Sequence, residues 1–260
     1  RGLADARGLL LLPEIHSRYE EGIHETLASK GFLTYDFFLP GLLIDALHRA
    51  DATILKRWIG EVLEKEIRTV TMLGCHDGIP LLDLKGLMTD EQIEGLIRLV
   101  VGRGGYVKDL HGSKATYYQV NATYFSALGE SEEALLLSRA IQMFMPGKPQ
   151  VWYLDLVAGR NDHDAVAAAG AGGHKEINRT NLSADDVDGA LHRDIVQRQL
   201  QLLRLRSTFA AFGWDAQCEV EDTPAEELSI VWRRDGHEAR LKANLSSLDF
   251  TITADGQQIC

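Results

Sequence analysis

The chain has 260 residues, 45% of them hydrophobic and 25% charged, with a formal net charge of −11. That is the balance of a globular protein long enough to bury a sizeable core. The acidic charge argues against a phosphate-backbone binder, so no nucleic-acid partner is expected, and no apolar run approaches the ~18 residues of a membrane span.

Cys75, Cys218 and Cys260 are far apart and form no CxxC pair, which argues against a disulfide scaffold or a zinc ribbon. No signal peptide opens the chain, and a cytoplasmic setting is expected. The opening "RGLADARG" reads as the inside of a helix, so the chain is expected to begin in mid-domain.

In chain order, "LLLLPE" (9–14) is a short continuous apolar run, the pattern of a strand buried on both faces. Residues 17–30 read as a helix, and "GFLTYDFFLP" (31–40) as the next strand. Helices are expected around 41–50 and 52–65, with His24 and His48 on helix surfaces. "RTVTMLGCHD" (68–77) is a β-branched strand ending on His76 and Asp77. Thr89 is the N-cap of a helix that runs to the glycines of "GRGG" (102–105), which read as its stop. Residues 117–128 and 131–145 read mainly as helix, and "KPQVWYLDL" (148–156) as a fourth strand. Trp152, Tyr153 and Phe144 read as core. A polar, Gly-rich loop is expected over 159–182, and one long amphipathic helix over 183–209. From 213 onward the pattern changes to short alternating strands separated by turn residues.

Strands alternating with helices imply an α/β fold with a parallel sheet and helical crossovers. The predicted division is 1–212 for that unit and 213–260 for a small antiparallel β domain.

Two predicted strands end on acids beside histidines: Glu14 with His16, and His76 with Asp77. In a parallel barrel the carboxyl ends of the strands line the mouth where chemistry occurs. Two carboxyl groups there can divide roles. One holds a proton as general acid, and the other stays ionised and stabilises positive charge, as glycoside chemistry requires. The run "LLLLP" would supply the burial that keeps an acid protonated. The bland alternative is that Glu14 and Asp77 cap helices or form salt bridges. A metal site built from Glu14, His16, His76 and Asp77 lacks HxxxH or HxxE spacing, so no metal is expected.

The segments "LLPEIHSRYEEGIHETLASKGFLTYDFFLPGLLIDAL", "TMLGCHDGIPLLDLKGLM", "YYQVNATYFSALG", "FMPGKPQVWYLDLVAGRND" and "EINR" together resemble the sucrose phosphorylase group of the α-amylase-like glycoside hydrolase superfamily. The resemblance is colinear from about residue 9 to 212, and more diffuse in the β tail. It implies the C-terminal half of a (β/α)8 TIM barrel, with strands 5–8 and their helices, followed by a small antiparallel β domain.

It also implies a retaining double displacement in which phosphate takes a glucosyl group from sucrose or a related glucoside, giving α-glucose 1-phosphate without a cofactor. The implied partners are a small-molecule sugar and inorganic phosphate, with no membrane. By the resemblance, Glu14 is the acid/base and Asp77 the transition-state stabiliser, with His76 beside it. Arg179 of "INRT" matches the glucose-subsite arginine. Ile15, His16 and Gln119 match acceptor contacts. His174 and Lys175 lie in "GAGGHKEINR", a candidate phosphate or acceptor loop.

The chain also departs from the family pattern. No arginine-x-aspartate strand, which carries the family's nucleophile, precedes Glu14. The chain alone is therefore expected not to turn over substrate, and to need the N-terminal half or a homodimer partner. Where sucrose-using members carry an acid three residues before the glutamine, this chain has Thr116. "CHDGIP" resembles members that use sucrose 6'-phosphate. An α-glucosidase-type hydrolase and a non-catalytic, carbohydrate-binding remnant are the alternatives.

Overall fold

The computed structural model describes residues 2–109 and 117–259. Thr116 and Cys260 lie outside the described residues. A short helix α1 (Gly2–Asp5) leads into residues 9–18, which form no regular element. The predicted strand at 9–14 is thus not formed. Leu9, Leu10, Leu11 and Leu12 are all exposed, Leu10 by 84%. A strand needs a neighbour to take its backbone groups, and among the described residues none pairs with this run.

A 3-10 turn at Tyr19–Glu21 precedes α2 (Ile23–Ser29). His24 on this helix is buried rather than on the surface. It packs among Tyr19, Phe38 and Trp58, with Nε2 3.4 Å from Glu61 Oε1.

Strand β1 (Thr34–Asp36) runs directly into α3 (Leu39–Arg49). Asp36 sits at that junction. Its Oδ1 accepts from the Phe38 and Leu39 backbone N–H groups, and its Oδ2 accepts from Trp58 Nε1. The first N–H groups of a helix need such an acceptor. α4 (Thr53–Glu64) follows, then β2 (Thr69–Thr71) and β3 (Ile79–Pro80). α5 (Asp90–Gly102) opens on the Thr89–Gln92 capping box and ends before Gly104, whose φ is +89°.

β4 (Tyr106–Asp109) and β5 (Tyr117–Asn121) come next. Residues 117–121 are therefore a strand and not a helix. Their aromatic and β-branched side chains suit a pleated ladder, and β5 pairs antiparallel with both β3 and β4. α6 (Tyr124–Ala127) and α7 (Glu132–Phe144) complete the helical reading, capped by Thr123 and Ser131. α7 is buried from Ala134 to Phe144 and contributes much of the hydrophobic core.

β6 (Lys148–Pro149) covers only the first residues of the fourth predicted strand, and α8 (Tyr153–Leu156) takes the last four. Gly147 lets β6 approach β2, because a Cβ there would lie 2.2 Å from Thr69 Oγ1. The segment predicted as a loop holds α9 (His163–Ala169) and a 3-10 turn, Gly173–Asn178. The long helix predicted over 183–209 is two, α10 (Ala184–Leu191) and α11 (Asp194–Thr208), each with its own start.

β1, β2 and β6 form a parallel sheet in the order β1-β2-β6. The C-terminal strands are β7 (Gln217–Glu221), β8 (Glu227–Arg234), β9 (His237–Asn244), β10 (Phe250–Ala254) and β11 (Gln257–Gln258). They form one antiparallel sheet, β11-β10-β9-β8-β7, as predicted. Asp235-Gly236 and Asp255-Gly256 both take positive φ, the requirement of tight hairpin turns. Ile230 and Trp232 of β8 join the same buried cluster as α7, and Trp232 Nε1 donates to the Phe144 carbonyl at 2.8 Å. Arg206 of α11 lies over both the Phe212 and Trp232 rings, 4.6 and 4.5 Å from their centroids.

Candidate active site

The turn after β2 is pinned at both ends. Gly74 N donates to Asp155 Oδ2 at 2.8 Å, and a Cβ on Gly74 would collide with that carboxylate. A Cβ on Gly78 would lie 2.7 Å from the Val120 carbonyl of β5. Between these points the backbone presents three carbonyls in a row, and the 178–179 pair takes all three. Asn178 Nδ2 donates to Cys75 O and Asp77 O, each at 2.8 Å, and Arg179 Nε donates to His76 O at 2.8 Å. The Asp77 side chain is thus held by its own backbone.

Asp155 is fully buried beneath this turn, and burial pushes its carboxyl up to about 6. The buried Arg139 guanidinium opposes that rise. Burial likewise pushes the Cys75 thiol up to about 11, the behaviour of an inert packing cysteine.

Asp77 Oδ1 accepts from Lys175 Nζ at 2.5 Å, lies 3.4 Å from Arg179 Nη2, and lies 4.0 Å from His76 Nε2. Partial burial favours protonation of Asp77. The hydrogen bond and charge of Lys175, with His76 and Arg179, outweigh it and hold the carboxyl below its usual range. Asp77 is therefore an ionised carboxylate at neutral pH.

Glu14 also comes close to this carboxylate. One carboxylate oxygen of Glu14, a ring nitrogen of His76 and an oxygen of Asp77 all lie within 4.8 Å of one another. The two strand-end acids singled out in the sequence, 63 positions apart, therefore share one spot on the molecule. Glu14 is exposed, as are the leucines before it. The described residues thus do not supply the apolar burial expected from "LLLLP". The three donors could in principle hold a cation, but Lys175 and Arg179 already neutralise Asp77 Oδ1, and His16 is engaged elsewhere.

His16 is half-buried. Its ring stacks on Phe37 at 3.9 Å and meets Tyr118 edge-on at 5.1 Å, with Nδ1 3.0 Å from Asp83 Oδ2. Ile15 beside it is 46% exposed. Gln119 is 2% exposed, and its amide donates to Asn121 Oδ1 at 2.9 Å. Alternation along β5 turns Gln119 away and brings Tyr118 to His16 instead. Burial, then the charges of Asp83, Asp77 and Glu14, push the Tyr118 phenol up to about 12.

Lys175 lies on the 3-10 turn Gly173–Asn178. Its ammonium is committed to Asp77, and the 3-10 turn places His174 in a half-buried position. Trp152 and Tyr153 are at the rim rather than in the core. Trp152 Nε1 donates to Asn178 O at 3.3 Å, its ring lies 6.3 Å from that of His76, and Tyr153 is exposed.

No family model matches the chain. A sucrose 6(F)-phosphate phosphorylase of Ilumatobacter coccineus is 53% identical over 262 residues, covering 97% of this chain and 50% of the relative. A crystal structure of sucrose 6F-phosphate phosphorylase from Thermoanaerobacter thermosaccharolyticum superposes with a TM-score of 0.91 at 34% identity, over 99% of this chain and 52% of that one. The chain is a member of the sucrose phosphorylase group, matching the C-terminal half of those enzymes.

A glucosylglycerol phosphorylase of Marinobacter adhaerens is also similar, 31% identical over 252 residues, covering 95% of this chain and 50% of that protein. An α-amylase from H. orenii shares the fold alone, with a TM-score of 0.59 at 12% identity. The fold is thus the C-terminal half of an α-amylase-like barrel followed by an antiparallel β domain. The chain spans about half the length of the curated relatives it matches.

Sequence reasoning missed Asn178, Asp83 and Tyr118. Asn178 had a signal of sorts, as an amide next to Arg179. Asp83 stands alone in "PLLDLKG", and an acid flanked by leucines in a buried run needs a partner. Tyr118 follows from period-2 alternation once 117–121 is read as a strand.

Proposed function

We propose that this chain carries the acid/base half of a retaining α-glucoside phosphorylase of the sucrose phosphorylase type, acting on sucrose or its phosphate ester. Residues 1–212 are read as the catalytic half-barrel and 213–260 as the β domain. The observation that carries the reading is the convergence of Glu14, His76 and Asp77 within 4.8 Å.

Glu14 gives its proton to the leaving glycosidic oxygen as the C–O bond breaks. A carboxylate from outside these residues forms the glucosyl ester. Phosphate oxygen then displaces that carboxylate, and Glu14 takes the phosphate proton. Asp77, ionised and braced by Lys175, faces the positive charge that develops on the sugar ring. Arg179, through His76 O and Asp77 Oδ1, keeps that carboxylate in place.

The reading is tested by fusing this chain to the N-terminal half of the Ilumatobacter relative. Release of α-glucose 1-phosphate from sucrose or sucrose 6'-phosphate, dependent on added phosphate, is the expected result. Equal rates of sugar release with and without phosphate would make the protein a hydrolase. No release from either donor by a folded fusion would remove the assignment.

A further inference from the structure

Outside the acid pair, the most constrained group near Glu14 is His16. Its ring is fixed on three sides, by Phe37 below, Tyr118 at the edge and Asp83 at Nδ1. Asp83 is itself buried, at 2% exposure, and both of its carboxylate oxygens are used. Oδ2 meets His16 Nδ1 at 3.0 Å, and Oδ1 accepts from Ser17 N at 3.3 Å. Its backbone carbonyl accepts from Tyr19 N at 3.0 Å. One buried residue therefore holds the whole 16–19 segment against the loop after β3.

The carboxylate decides which nitrogen of His16 carries the proton. An ionised carboxylate only accepts, so Nδ1 must donate to it. In the neutral ring Nε2 is then a lone-pair acceptor. Among the described residues Nε2 makes no hydrogen bond, and His16 keeps an exposed edge. A polar edge of fixed polarity, two residues from Glu14, is suited to a ligand that supplies a hydroxyl hydrogen.

We propose that Asp83 is a positioning residue that locks His16 in the Nδ1–H tautomer, so that Nε2 accepts a hydrogen bond from a hydroxyl of the acceptor polyol. This rests on the phosphorylase reading for the identity of the ligand, though not for the tautomer. Asp83→Asn is the informative substitution because it is nearly isosteric. An amide offers one acceptor oxygen where two N–H groups need one each. The packed Ser17 N–H keeps the oxygen, the amide NH2 turns to Nδ1, and the ring must move its proton to Nε2.

Two measurements test it. The first needs no activity: imidazole 15N shifts of His16 in this chain, assigned with His16→Ala, should show Nδ1–H in the wild type and Nε2–H in Asp83→Asn. The same tautomer in both overturns the proposal.

The second uses the fusion enzyme in the synthetic direction, with α-glucose 1-phosphate and the acceptor sugar. Asp83→Asn and His16→Ala should each raise the acceptor KM about tenfold. The double variant should add little to either, and kcat should change less than the acceptor KM in both single variants. An unchanged acceptor KM in Asp83→Asn, or additive losses in the double variant, overturn it. A fusion without any phosphorolysis would count against the phosphorylase reading and leave the tautomer measurement to decide the role of Asp83.

Discussion

Lys175 Nζ lies 2.5 Å from Asp77 Oδ1 across 98 residues of sequence. This contact turns a partly buried acid into a fixed negative charge beside Glu14. It also ties the glycine-rich segment from which Lys175 comes to the turn after β2.

Replacing Lys175 by Met should raise the Asp77 carboxyl pKa, since the strongest opposition to burial is lost. The sign follows from linkage. A carboxyl held low in the folded state contributes stability above its unfolded value of about 3.9, and that contribution disappears as pH falls through the folded value. Wild type should therefore lose stability faster than Lys175→Met on acidification below about pH 4. A 13C titration of Asp77 and urea melts at several pH values check both statements.

Asn178→Ala should destabilise the fold by about 1–3 kcal/mol, because the Cys75 and Asp77 carbonyls lose their shared donor. Chemical denaturation measures the cost. Faster amide exchange across residues 75–78 than across α7 is the accompanying sign. Unchanged exchange there would mean that the turn is held by Gly74 and Arg179 without it.

Glu14→Gln in the fusion should lower glucosyl transfer from sugar leaving groups by about 10²–10⁴-fold. α-Glucosyl fluoride, whose leaving group needs little protonation, should be far less affected. Steady-state rates on the two donors make the comparison, and equal losses would argue against proton donation by Glu14.

Asp36 gives a prediction about folding alone. Burial pushes its carboxyl up to about 6, despite hydrogen bonds from Leu39, Trp58 and Phe38. A raised carboxyl binds its proton more tightly when folded, so its contribution is present below about pH 4 and lost as pH rises through about 6. The margin by which wild type exceeds Asp36→Asn in denaturant should shrink between pH 4 and pH 7. A margin that widens over that range would show that the three donors keep Asp36 ionised.

Local patterns in the chain were enough for much of the architecture. The Thr89 cap, the helical stretch 132–144, the apolar run within 227–234 and the Asp-Gly hairpins each act within a few residues, so their outcome is written in neighbouring side chains. The acids at 14 and 77 stood out for the same reason, as charged groups closing apolar or β-branched runs. The resemblance of "LPEIH", "CHDGI" and "INR" then joined them into one family pattern.

The failures arose where a partner far along the chain decides. "LLLLPE" has the composition of a buried strand, but composition does not provide a neighbour, and these leucines lie exposed. The residues "YYQVN" become a strand because β3 and β4 flank them, and that pairing buries Gln119 and brings Tyr118 to His16.

The sequence by itself determined which elements could form and which acids were candidates, because propensity, capping and periodicity are local. Only the tertiary structure decided that Lys175 meets Asp77, that Asn178 clamps the turn after β2, and that Asp83 holds His16. Each of these depends on Coulomb and hydrogen-bond contacts made within about 3 Å between residues 67 to 103 positions apart, a proximity that folding creates and linear spacing does not encode.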